Sequence, residues 1–457
     1  MTRVLLVGSG AREDAIAHSL IERSDIELYS AMSSQNPGIM RVSKDTRVMR
    51  LTDPTIVADY ALKKRIDRAV IGPEAPLISG IVNALESNGI PCIGPTKELA
   101  AIEGDKAFCR RLLSKYNIEG NPQFQVFTDT FSAESFLKSI TTVAIKPIGL
   151  TGGKGVKVSG EDLPTKQSEI AYAKHVLTKQ IGGNGVLIEE KLDGEEFSLQ
   201  AYVDGRNVYA MPLVQDHKRA FDNDLGSNTG GMGSYSDTDH LLPFVSPSDF
   251  ERSCSIIRET IMALQNETGK EYKGVIYGQF MLAKAATDDR PSPKLIEFNC
   301  RFGDPEAMNV LAILESNLAD ICERIIEGTL RSKDFAFQHK ATVCKYLVPE
   351  GYPETPRSRE AISIDENALH ANRGRLFFAS VDMDDQGHIL TTSSRAVAVL
   401  GVGDTISAAE EIAESSTQFV NGPLRHRKDV GTISLLARRV SHVRMLNRAT
   451  TAPSGIV

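Results

Sequence analysis

Short hydrophobic runs alternate with Gly-rich turns and amphipathic stretches through the first hundred residues. The run RVLLV at 3–7 predicts a buried strand, and the turn GSGARED and the helical stretch AIAHSLIERS follow it. The pattern returns at 68–71, where a GPEAP turn precedes a helix to about residue 87, and IPCIGP predicts a third short strand. Because strands that alternate with helices form parallel sheets, residues 1–103 are predicted to be an open α/β domain.

Strand-like runs dominate the middle of the chain. TTVAIKPIG predicts a strand, GLTGGKG a Gly-rich loop and VKVS the returning strand. GGNGVLIEEKLDGEEFSLQAYVDGRNVYAMPLV predicts a meander, ERSCSIIRETIMALQNE an amphipathic helix, and KGVIYGQFMLAK with PKLIEFNC two paired strands. From about residue 335, three strands and one helix predict a small α+β domain. A length of 457 residues agrees with three domains.

The stretch LIEFNCRFGDPE at 295–306 places polar side chains on one face of a strand. With a period of two, Glu297, Asn299 and Arg301 share a face with Leu295, while the face that includes Ile296 is predicted to be core. Carboxylate and amide oxygens two positions apart suit a hard cation such as Mg²⁺. A solvated strand is the alternative, although Asn is depleted in strands.

Two neighbouring stretches carry charges that suit a nucleotide. Lys146 ends a predicted strand and Lys154 lies inside the loop GLTGGKG, where glycines let backbone N–H groups approach phosphate oxygens. The spacing is not that of a Walker A loop, and a plain hairpin turn is the alternative. In VLIEEKLDGEE, backbone groups at a strand end can hydrogen-bond to the edge of an adenine, and the Glu196 carboxylate can bind two ribose hydroxyls. An acidic surface hairpin is the alternative for this second stretch.

A polar stretch without periodicity covers residues 216–236. Polar stretches of this length are uncommon in a compact domain unless they are functional or disordered. Its mix of Lys218, Arg219, Asn228, Thr229 and three glycines suits an anionic or zwitterionic substrate. We therefore predict that this stretch contributes to a substrate site.

The N-terminal turn GSGARE partly matches a phosphate-binding turn. It lacks the third glycine of the dinucleotide fingerprint, because Glu13 stands at that position. With Arg12 at the start of the helix, the turn is still compatible with a phosphate site. An NAD-dependent oxidoreductase is an alternative, supported by Glu27 in the second strand, but no hydride-transfer constellation follows in the sequence.

Composition and charge exclude several function classes. The net charge is −7, from 52 basic and 59 acidic residues, which argues against a nucleic-acid-binding protein. The six cysteines form no CxxC pair and no zinc spacing, which indicates reduced thiols and a cytoplasmic location. The first residues lack a signal-peptide pattern, and no apolar run approaches about 18 residues, so no membrane span is expected.

Taken together, these motifs resemble the phosphoribosylamine–glycine ligase family of the ATP-grasp superfamily. The resemblance runs in order through GSGARE, GPEAPL, GPTKELAAIEGDKAF, KPIGLTGGKGV, IEEKLDGEE, QDHKR, SNTGGMGSYS, IEFNCRFGDPE and SRAVAVLGVG. It implies an α/β and α+β multidomain fold. The implied parts are an N-terminal open parallel α/β domain at 1–103, a central ATP-grasp domain at 104–333 with a nucleotide-covering subdomain at about 124–195, a small C-terminal α+β domain at 334–440, and a tail at 441–457.

The resemblance also implies an activity and a site. The activity is ATP-dependent ligation of glycine to 5-phosphoribosylamine through glycyl phosphate, giving glycinamide ribonucleotide, ADP and phosphate in purine biosynthesis. It implies two Mg²⁺ or Mn²⁺ ions, small-molecule partners without nucleic acid or membrane, and a cytoplasmic monomer or weak homodimer. The implied residues are Lys106, Lys146, Lys154, Glu189, Glu190, Lys191, Leu192 and Glu196 for ATP; Gln279, Glu297 and Asn299 for metal; Arg301 for the transferring phosphoryl group or the tetrahedral intermediate; and Gly10, Arg12, Glu13, Pro73, Glu74, Asp216, Asn228, Thr229, Gly303 and Asp304 for phosphoribosylamine and glycine.

The chain departs from the family pattern in three places. The common GSGGREH is GSGARED, the common KADGLAAGKG is KPIGLTGGKG, and Ser393 and Ser394 replace the glycines before Arg395. Ala11 adds a Cβ in the predicted phosphate turn, where a side chain restricts close approach. Two alternatives stay open: an ATP-grasp ligase that joins a different carboxylate and amine, and a nucleotide sensor without catalytic activity.

Overall fold

The computed structural model describes residues 1–152, 155–284 and 290–448. None of the helices in these ranges combines the length and the apolar character that a membrane crossing requires. The described residues form an N-terminal parallel sheet, a central region with two four-stranded antiparallel sheets and one two-stranded pair, and a C-terminal region built on a six-stranded sheet and a smaller four-stranded one. The predicted three-domain fold is therefore confirmed.

The N-terminal domain is an open parallel sheet with helices on both faces. Its elements are β1 (Thr2–Val7), α1 (Ala11–Leu20), β2 (Ile26–Met32), α2 (Pro37–Val42), β3 (Asp45–Val48), α3 (Pro54–Lys64), β4 (Arg68–Ile71), α4 (Glu74–Ser79), α5 (Ile81–Ser87), β5 (Cys92–Ile93) and α6 (Lys97–Gly104). The strand order is β3-β2-β1-β4-β5. Leu5 and Val7 belong to one hydrophobic cluster, and Val4 and Leu6 to another, as expected for a strand buried on both faces. The single helix predicted after residue 71 is two helices, since Gly80 turns the chain with a φ of 90°.

The central region contributes most of the site. Its elements are α7 (Lys106–Lys115), β6 (Phe124–Phe127), α8 (Thr130–Ser139), β7 (Val143–Pro147), β8 (Lys157–Val158), α9 (Lys166–Lys179), β9 (Val186–Glu190), β10 (Gly194–Asp204), β11 (Val208–Ala210), β12 (Gln215–Asp216), β13 (Arg219–Phe221), β14 (Leu225–Asn228), β15 (Gly233–Ser236), α10 (Pro247–Thr268), β16 (Lys273–Ala283), β17 (Ser292–Asn299), α11 (Glu306–Ala312) and α12 (Leu318–Glu327). Two four-stranded sheets, β6-β9-β7-β8 and β11-β10-β16-β17, carry its strands toward a common cleft.

A bulge in β17 changes the predicted faces of the LIEFNCR strand. The register pairs Gln279 with Glu297 but Phe280 with Leu295, so Ile296 is an extra residue between two pairs. Leu295 is consequently fully buried in the core, whereas Ile296 lines the cleft. The prediction that Leu295 shares the polar face and Ile296 the core face is therefore wrong, because strict alternation is interrupted at this point.

The C-terminal region forms a mixed structure around one long buried strand. Its elements are β18 (Ala341–Pro349), β19 (Ala361–Ile364), α13 (Glu366–Ala371), β20 (Arg375–Phe378), β21 (Val381–Met383), β22 (Ile389–Thr391), β23 (Val397–Gly403), α14 (Ile406–Ser416), β24 (Val420–Asn421), β25 (Leu424–Arg425) and α15 (Ile433–Arg448). The main sheet has the order β12-β15-β18-β23-β20, so strands on both sides of the predicted limit at 333/334 share it. The predicted tail at 441–457 starts within α15, and its last residues, 449–457, lie outside the described ranges.

Asp14, one of the departures from the family pattern, connects the N-terminal domain to the C-terminal sheet. Its Oδ2 accepts a hydrogen bond of 2.7 Å from the backbone N–H of Phe378, and the side chain is fully buried. Gly38 leaves room for this carboxyl, since a Cβ there would lie 2.3 Å from Asp14 Oδ1. Burial raises the pKa of Asp14 from 3.8 to about 7, against the opposing effects of the Phe378 hydrogen bond and Arg41.

The Asp14→Asn variant is expected to be more stable than the wild type at high pH. A carboxyl whose pKa is higher in the folded state favours folding only while it is protonated, so its contribution falls as pH rises from 3.8 through about 7. The asparagine oxygen can still accept the Phe378 N–H. Thermal unfolding of both proteins between about pH 5 and pH 8 should show a Tm gap that widens with pH. Parallel Tm curves would contradict this expectation.

Candidate active site

A cleft of ≈ 590 Å³ lies where the three regions of the molecule meet. Many predicted site residues line it: Arg12, Glu74, Lys106, Lys146, Glu189, Glu190, Lys191, Leu192, Glu196, Asp216, Asn228, Thr229, Glu297, Asn299, Arg301 and Asp304. Gly10, Glu13, Pro73, Gln279 and Gly303 are not part of this lining. Lys154 lies outside the described residues.

Lys146, at the end of β7, is held by a buried ion-pair network. Its Nζ lies 2.6 Å from Glu189 Oε2, and Arg110 Nε lies 2.5 Å from the other oxygen of Glu189. Lys146 and Arg110 also donate to the backbone carbonyl of Ile296, at 3.4 and 2.7 Å. The Glu189 carboxylate thus forms ion pairs with two cations. The end of the strand that follows Glu189 can then contribute backbone groups, rather than this side chain, to the cleft.

Glu189→Gln is expected to destabilise the protein. Burial alone would raise the pKa of Glu189, but Arg110 and Lys146 lower it from 4.5 to about 2. The stability that this carboxylate contributes is therefore complete above pH 4.5 and is lost as pH falls toward 2. Because breaking a buried ion pair leaves uncompensated charges, the free energy of unfolding should fall by about 3 kcal/mol at pH 7.

Urea denaturation of Glu189→Gln at several pH values measures this effect. The difference from the wild type should shrink as pH falls below about 4.5, where the carboxylate becomes protonated in the unfolded chain. Glu134→Gln is the matched control, since Glu134 pairs with the exposed Lys138 at 2.8 Å and should matter much less. Equal losses in the two variants would contradict the role given to burial.

Lys106 begins α7 and faces the Gly-rich loop. Its backbone N–H donates to the carbonyl of Ile148 at 2.7 Å, and its Nζ donates to the carbonyl of Gly149 at 3.3 Å. Asp105 caps the helix by accepting a hydrogen bond from Phe108 N at 2.8 Å. The helix start therefore fixes a lysine beside the loop, where both border the cleft.

Glu297 and Asn299 present oxygen atoms to the cleft from the end of β17. Burial alone would raise the pKa of Glu297, but Lys218, Lys106 and Lys146 hold it below its ordinary value. The carboxylate is thus ionised among several cations. An ionised carboxylate beside an amide oxygen is a hard donor set that fits Mg²⁺ or Mn²⁺. Within the described ranges, no group of three or more His, Cys, Asp or Glu side chains has the arrangement of a metal site.

Gln279, the third predicted metal ligand, is fully buried in a hydrogen-bond network. Its Oε1 accepts hydrogen bonds from the hydroxyls of Ser198, at 3.1 Å, and Tyr277. Its Nε2 donates to Glu196 Oε2 at 2.7 Å. The amide therefore positions Glu196, the predicted ribose ligand, and its oxygen is occupied by two donors in this conformation.

Arg301 follows β17 and lies between two carboxylates. Its Nε is 3.2 Å from Glu74 Oε2, and its Nη2 is 3.1 Å from both Glu103 Oε1 and Asn299 Oδ1. Burial alone would lower the pKa of Arg301, but Glu103 and Glu74 raise it. Arg301 and Arg12 also lower the pKa of Glu74 to about 2 against the effect of burial. The arginine is therefore a fixed, permanently charged group at the cleft wall.

Asp304 joins the central region to the C-terminal region. Its Oδ2 lies 3.1 Å from Arg395 Nη2, and its Oδ1 accepts a hydrogen bond from the Tyr346 hydroxyl. The Arg395 guanidinium lies 4.2 Å from the centroid of the Tyr346 ring and donates to the carbonyls of Gly230 and Gly231 at 2.7 and 2.9 Å. Arg395 thus holds the GDPE turn and the NTGGMG loop together at one end of the cleft.

Asp216, on β12, is a buried carboxyl beside the same loop. Burial and the nearby Glu306 raise its pKa. Among the described residues, its Oδ1 has no hydrogen-bond partner. Gly231 approaches it closely with a φ of 109°, and a Cβ there would lie 2.6 Å from Asp216 Oδ1. An unpartnered buried oxygen at the cleft suits a substrate that donates hydrogen bonds.

The N-terminal turn encloses Glu13 between glycines. Glu13 Oε2 accepts the N–H of Gly10 at 2.7 Å, and its Oε1 accepts from Arg12 Nε at 2.6 Å. A Cβ on Gly72 would lie 2.2 Å from Glu13 Oε1. Arg12 also donates to the carbonyl of Phe302 at 3.1 Å, which ties the turn to the segment after β17 that carries Arg301. The structure thus places Glu13 as the partner of Arg12, and Arg12 in the cleft wall.

The sequence matches three parts of one enzyme family. Residues 2–103 match the N domain of phosphoribosylglycinamide synthetase, residues 104–307 its ATP-grasp (A) domain and residues 342–433 its C domain. The chain belongs to the phosphoribosylglycinamide synthetase family. This membership favours a ligase over the NAD-dependent oxidoreductase considered above.

Relatives in this family match almost the whole chain. The phosphoribosylamine–glycine ligase of Methanocaldococcus jannaschii is 47% identical over 451 residues, which are 98% of this chain and 100% of that protein. The ligase of Methanopyrus kandleri is 46% identical over 453 residues, 98% of this chain and 99% of that protein. The crystal structure of the Thermotoga maritima ligase superimposes with a TM-score of 0.77 at 27% identity, covering 94% of this chain and 100% of that one.

The sequence did not predict several residues that the structure places at the cleft. They are Glu103, Lys218 as a neighbour of Glu297, Glu306, Arg395 and Arg439, together with Arg110, which does not line the cleft but pairs with Glu189 behind its wall. Glu103 could have been predicted as a site residue, because it stands three residues before Lys106 in the family stretch AIEGDK. Arg395 and Arg439 reach the cleft from distant segments. Arg395 stands in the family stretch SRAVAVLGVG without a role assigned to it, and nothing in the local sequence of Arg439 indicates its position.

Proposed function

We propose that this chain joins glycine to 5-phosphoribosylamine through glycyl phosphate, giving glycinamide ribonucleotide, ADP and phosphate in purine biosynthesis. The observation that supports the proposal best is the single cleft in which Lys106 and Lys146, the oxygens of Glu297 and Asn299, and Arg301 face one another. Membership of a ligase family gives this arrangement its chemistry.

The reaction needs two steps because a carboxylate is a poor electrophile. In the first step, a carboxylate oxygen of glycine attacks the γ-phosphorus of ATP, the bond to the β–γ bridging oxygen breaks, and ADP leaves. In the second, the amine nitrogen of phosphoribosylamine attacks the carbonyl carbon of glycyl phosphate. The C–O bond to phosphate breaks, phosphate leaves, and the nitrogen loses one proton.

Positioning and charge neutralisation supply most of the catalysis in phosphoryl transfer. Lys106 and Lys146 are proposed to bind the ATP phosphates, and Lys154 is proposed to act from the Gly-rich loop. Arg301 is proposed to stabilise the transferring phosphoryl group or the tetrahedral intermediate. Support comes from the two carboxylates, Glu74 and Glu103, that hold its guanidinium at the cleft wall.

The metal ligands proposed are Glu297 and Asn299, with two Mg²⁺ or Mn²⁺ ions per site. When bound, such ions neutralise the phosphate oxygens of ATP. Gln279 is proposed as a further ligand, and in that role its oxygen would exchange the hydrogen bonds from Ser198 and Tyr277 for the ion.

The remaining site residues are divided between nucleotide and substrates. The backbone at Glu189 to Leu192 is proposed to bind adenine and Glu196 the ribose. The proposed ligands of phosphoribosylamine and glycine are Gly10, Arg12, Glu13, Pro73, Glu74, Asp216, Asn228, Thr229, Gly303 and Asp304. The domain limits 1–103, 104–333 and 334–440 are part of the same proposal.

We also propose that the enzyme works in the cytoplasm as a monomer or weak homodimer. The six cysteines are all free and buried, which agrees with a reducing compartment.

Isotope transfer tests the acyl phosphate directly. Glycine labelled with ¹⁸O in its carboxylate is incubated with ATP, Mg²⁺ and phosphoribosylamine, and the products are analysed by mass spectrometry. One labelled oxygen should move to inorganic phosphate and one should remain in the amide carbonyl of glycinamide ribonucleotide. Unlabelled phosphate together with amide formation would rule out glycyl phosphate.

A further inference from the structure

Arg439, on the C-terminal helix α15, lies in the wall of the cleft although it follows the last family-matched residue, 433. Its Nη2 is 2.7 Å from Asp224 Oδ2, and its Nη1 is 3.3 Å from Glu195 Oε2. Glu195 is buried, and its Oε1 also contacts His442 Nδ1 of the same helix at 2.7 Å. One helix therefore neutralises two carboxylates at the cleft.

The first of these carboxylates precedes the predicted ribose ligand. Glu195 and Glu196 are consecutive residues of β10. Glu196 is contacted by Gln279 at 2.7 Å and by Lys218 Nζ at 3.5 Å. Because consecutive residues of a strand share one stretch of backbone, a fixed Glu195 restricts where Glu196 is presented.

The second carboxylate lies at the tip of a hairpin formed by β13 and β14. Asp224 also pairs with Arg427 Nη1 at 3.1 Å. Beside it, Asn223 N donates to Asp429 Oδ2, and Asp222 Oδ1 accepts the N–H of Lys428, both at 2.9 Å. The tip is thereby attached to the C-terminal segment by side chains and backbone groups together.

The base of the hairpin carries groups that border the cleft. Lys218 precedes β13, Asn228 ends β14, and Thr229 N donates to the Lys218 carbonyl at 2.7 Å. Arg219, the first residue of β13, lies 2.6 Å from Glu161 Oε2 in the predicted nucleotide-covering subdomain. The hairpin therefore spans from the C-terminal helix to that subdomain.

We infer that Arg439 is a positioning residue for the nucleotide site. It acts through Glu195 on the strand that presents Glu196, and through Asp224 on the hairpin that presents Lys218. Without the guanidinium, two carboxylates in the cleft wall lose a cationic partner, in a site that must accept an anionic nucleotide. The inference rests on the proposed function, because it assigns nucleotide binding to this side of the cleft.

Titration with Mg–ADP tests the inference without requiring turnover. Arg439→Gln should weaken Mg–ADP binding about tenfold, while Arg439→Lys should restore most of the affinity. In steady-state assays, KM for ATP should rise by a similar factor and kcat should change less than about threefold. Arg444→Gln is the matched control, because Arg444 is an exposed arginine of the same helix.

A double-mutant cycle keeps the test independent of folding defects. Asp224→Asn removes the same ion pair from the other side, and the double variant should bind Mg–ADP no more weakly than Arg439→Gln. Affinity of Arg439→Gln equal to that of Arg444→Gln would overturn the inference, whatever happens to Tm. A wild type that binds Mg–ADP but forms no glycinamide ribonucleotide would refute the proposed function alone, and the titration would still decide the role of Arg439.

Discussion

Replacing Glu297 with glutamine should lower kcat/KM for ADP formation by about a thousandfold or more. The glutamine keeps the size of the side chain but removes the negative charge. Lys218, Lys106, Lys146 and Arg301 together hold the pKa of Glu297 below its ordinary value, so the carboxylate is the counter-charge of the cleft's cations. The proposed metal ions would lose their only carboxylate ligand in the predicted set. Coupled detection of ADP over a range of ATP concentrations, with glycine and phosphoribosylamine saturating, measures the loss.

The control for Glu297→Gln is Glu98→Gln. Glu98 is an exposed carboxylate of α6 that pairs with Lys270 at 2.9 Å, away from the cleft. This variant should keep wild-type activity. Comparable unfolding temperatures for the two variants would assign the loss to chemistry. Activity of Glu297→Gln within about tenfold of the wild type would refute the role given to its charge.

Arg301→Lys should lower kcat by about a hundredfold. The planar guanidinium contacts Glu74, Glu103 and Asn299 at once, at 3.1 to 3.2 Å. A lysine ammonium keeps the charge but cannot reach both carboxylates in the same fork geometry. If the group acts in the transition state, kcat and kcat/KM should fall by similar factors, with little change in Mg–ADP affinity.

Arg111→Lys is the matched control for this second prediction. Arg111 lies on α7, and its side chain is 58% exposed, with Asp105 at 4.0 Å as its ion-pair partner. The same chemical change there should leave the kinetics unaltered. A kcat for Arg301→Lys that stays within about threefold of the wild type would show that charge alone suffices at this position.

The local hydrophobic pattern was sufficient to predict the strands but not the irregularities in their pairing, such as bulges. β1, β4, β16 and β17 lie where hydrophobic periodicity placed them, because buried strands have a strong period-two or continuous apolar signal. The bulge at Ile296 was not visible, since it depends on the register with β16 rather than on the sequence of β17. The short strands β12 to β15, in and beside the polar stretch 216–236, were also missed, and one of them, β15, pairs with the distant β18, which the local sequence does not show.

The residues of the candidate site also fall into two groups, those that a local motif indicates and those that only tertiary packing brings to the cleft. Lys146, Glu297 and Asn299, which line the cleft, could be predicted as candidates because each lies in a compact motif with a chemical interpretation. Arg395 and Arg439 could not, because their roles depend on contacts with residues more than about a hundred positions away, which tertiary packing alone creates. Long-range partners of motif residues are therefore the part of the site that required a structure.

The most direct measurement is ADP release by the purified protein with Mg–ATP, glycine and freshly generated phosphoribosylamine, omitting each component in turn. The proposed function predicts sustained ADP release only when all three are present, with glycinamide ribonucleotide formed in equal amount. ATP turnover that is indifferent to glycine or to the amine would contradict it, and would assign this cleft to another carboxylate and amine.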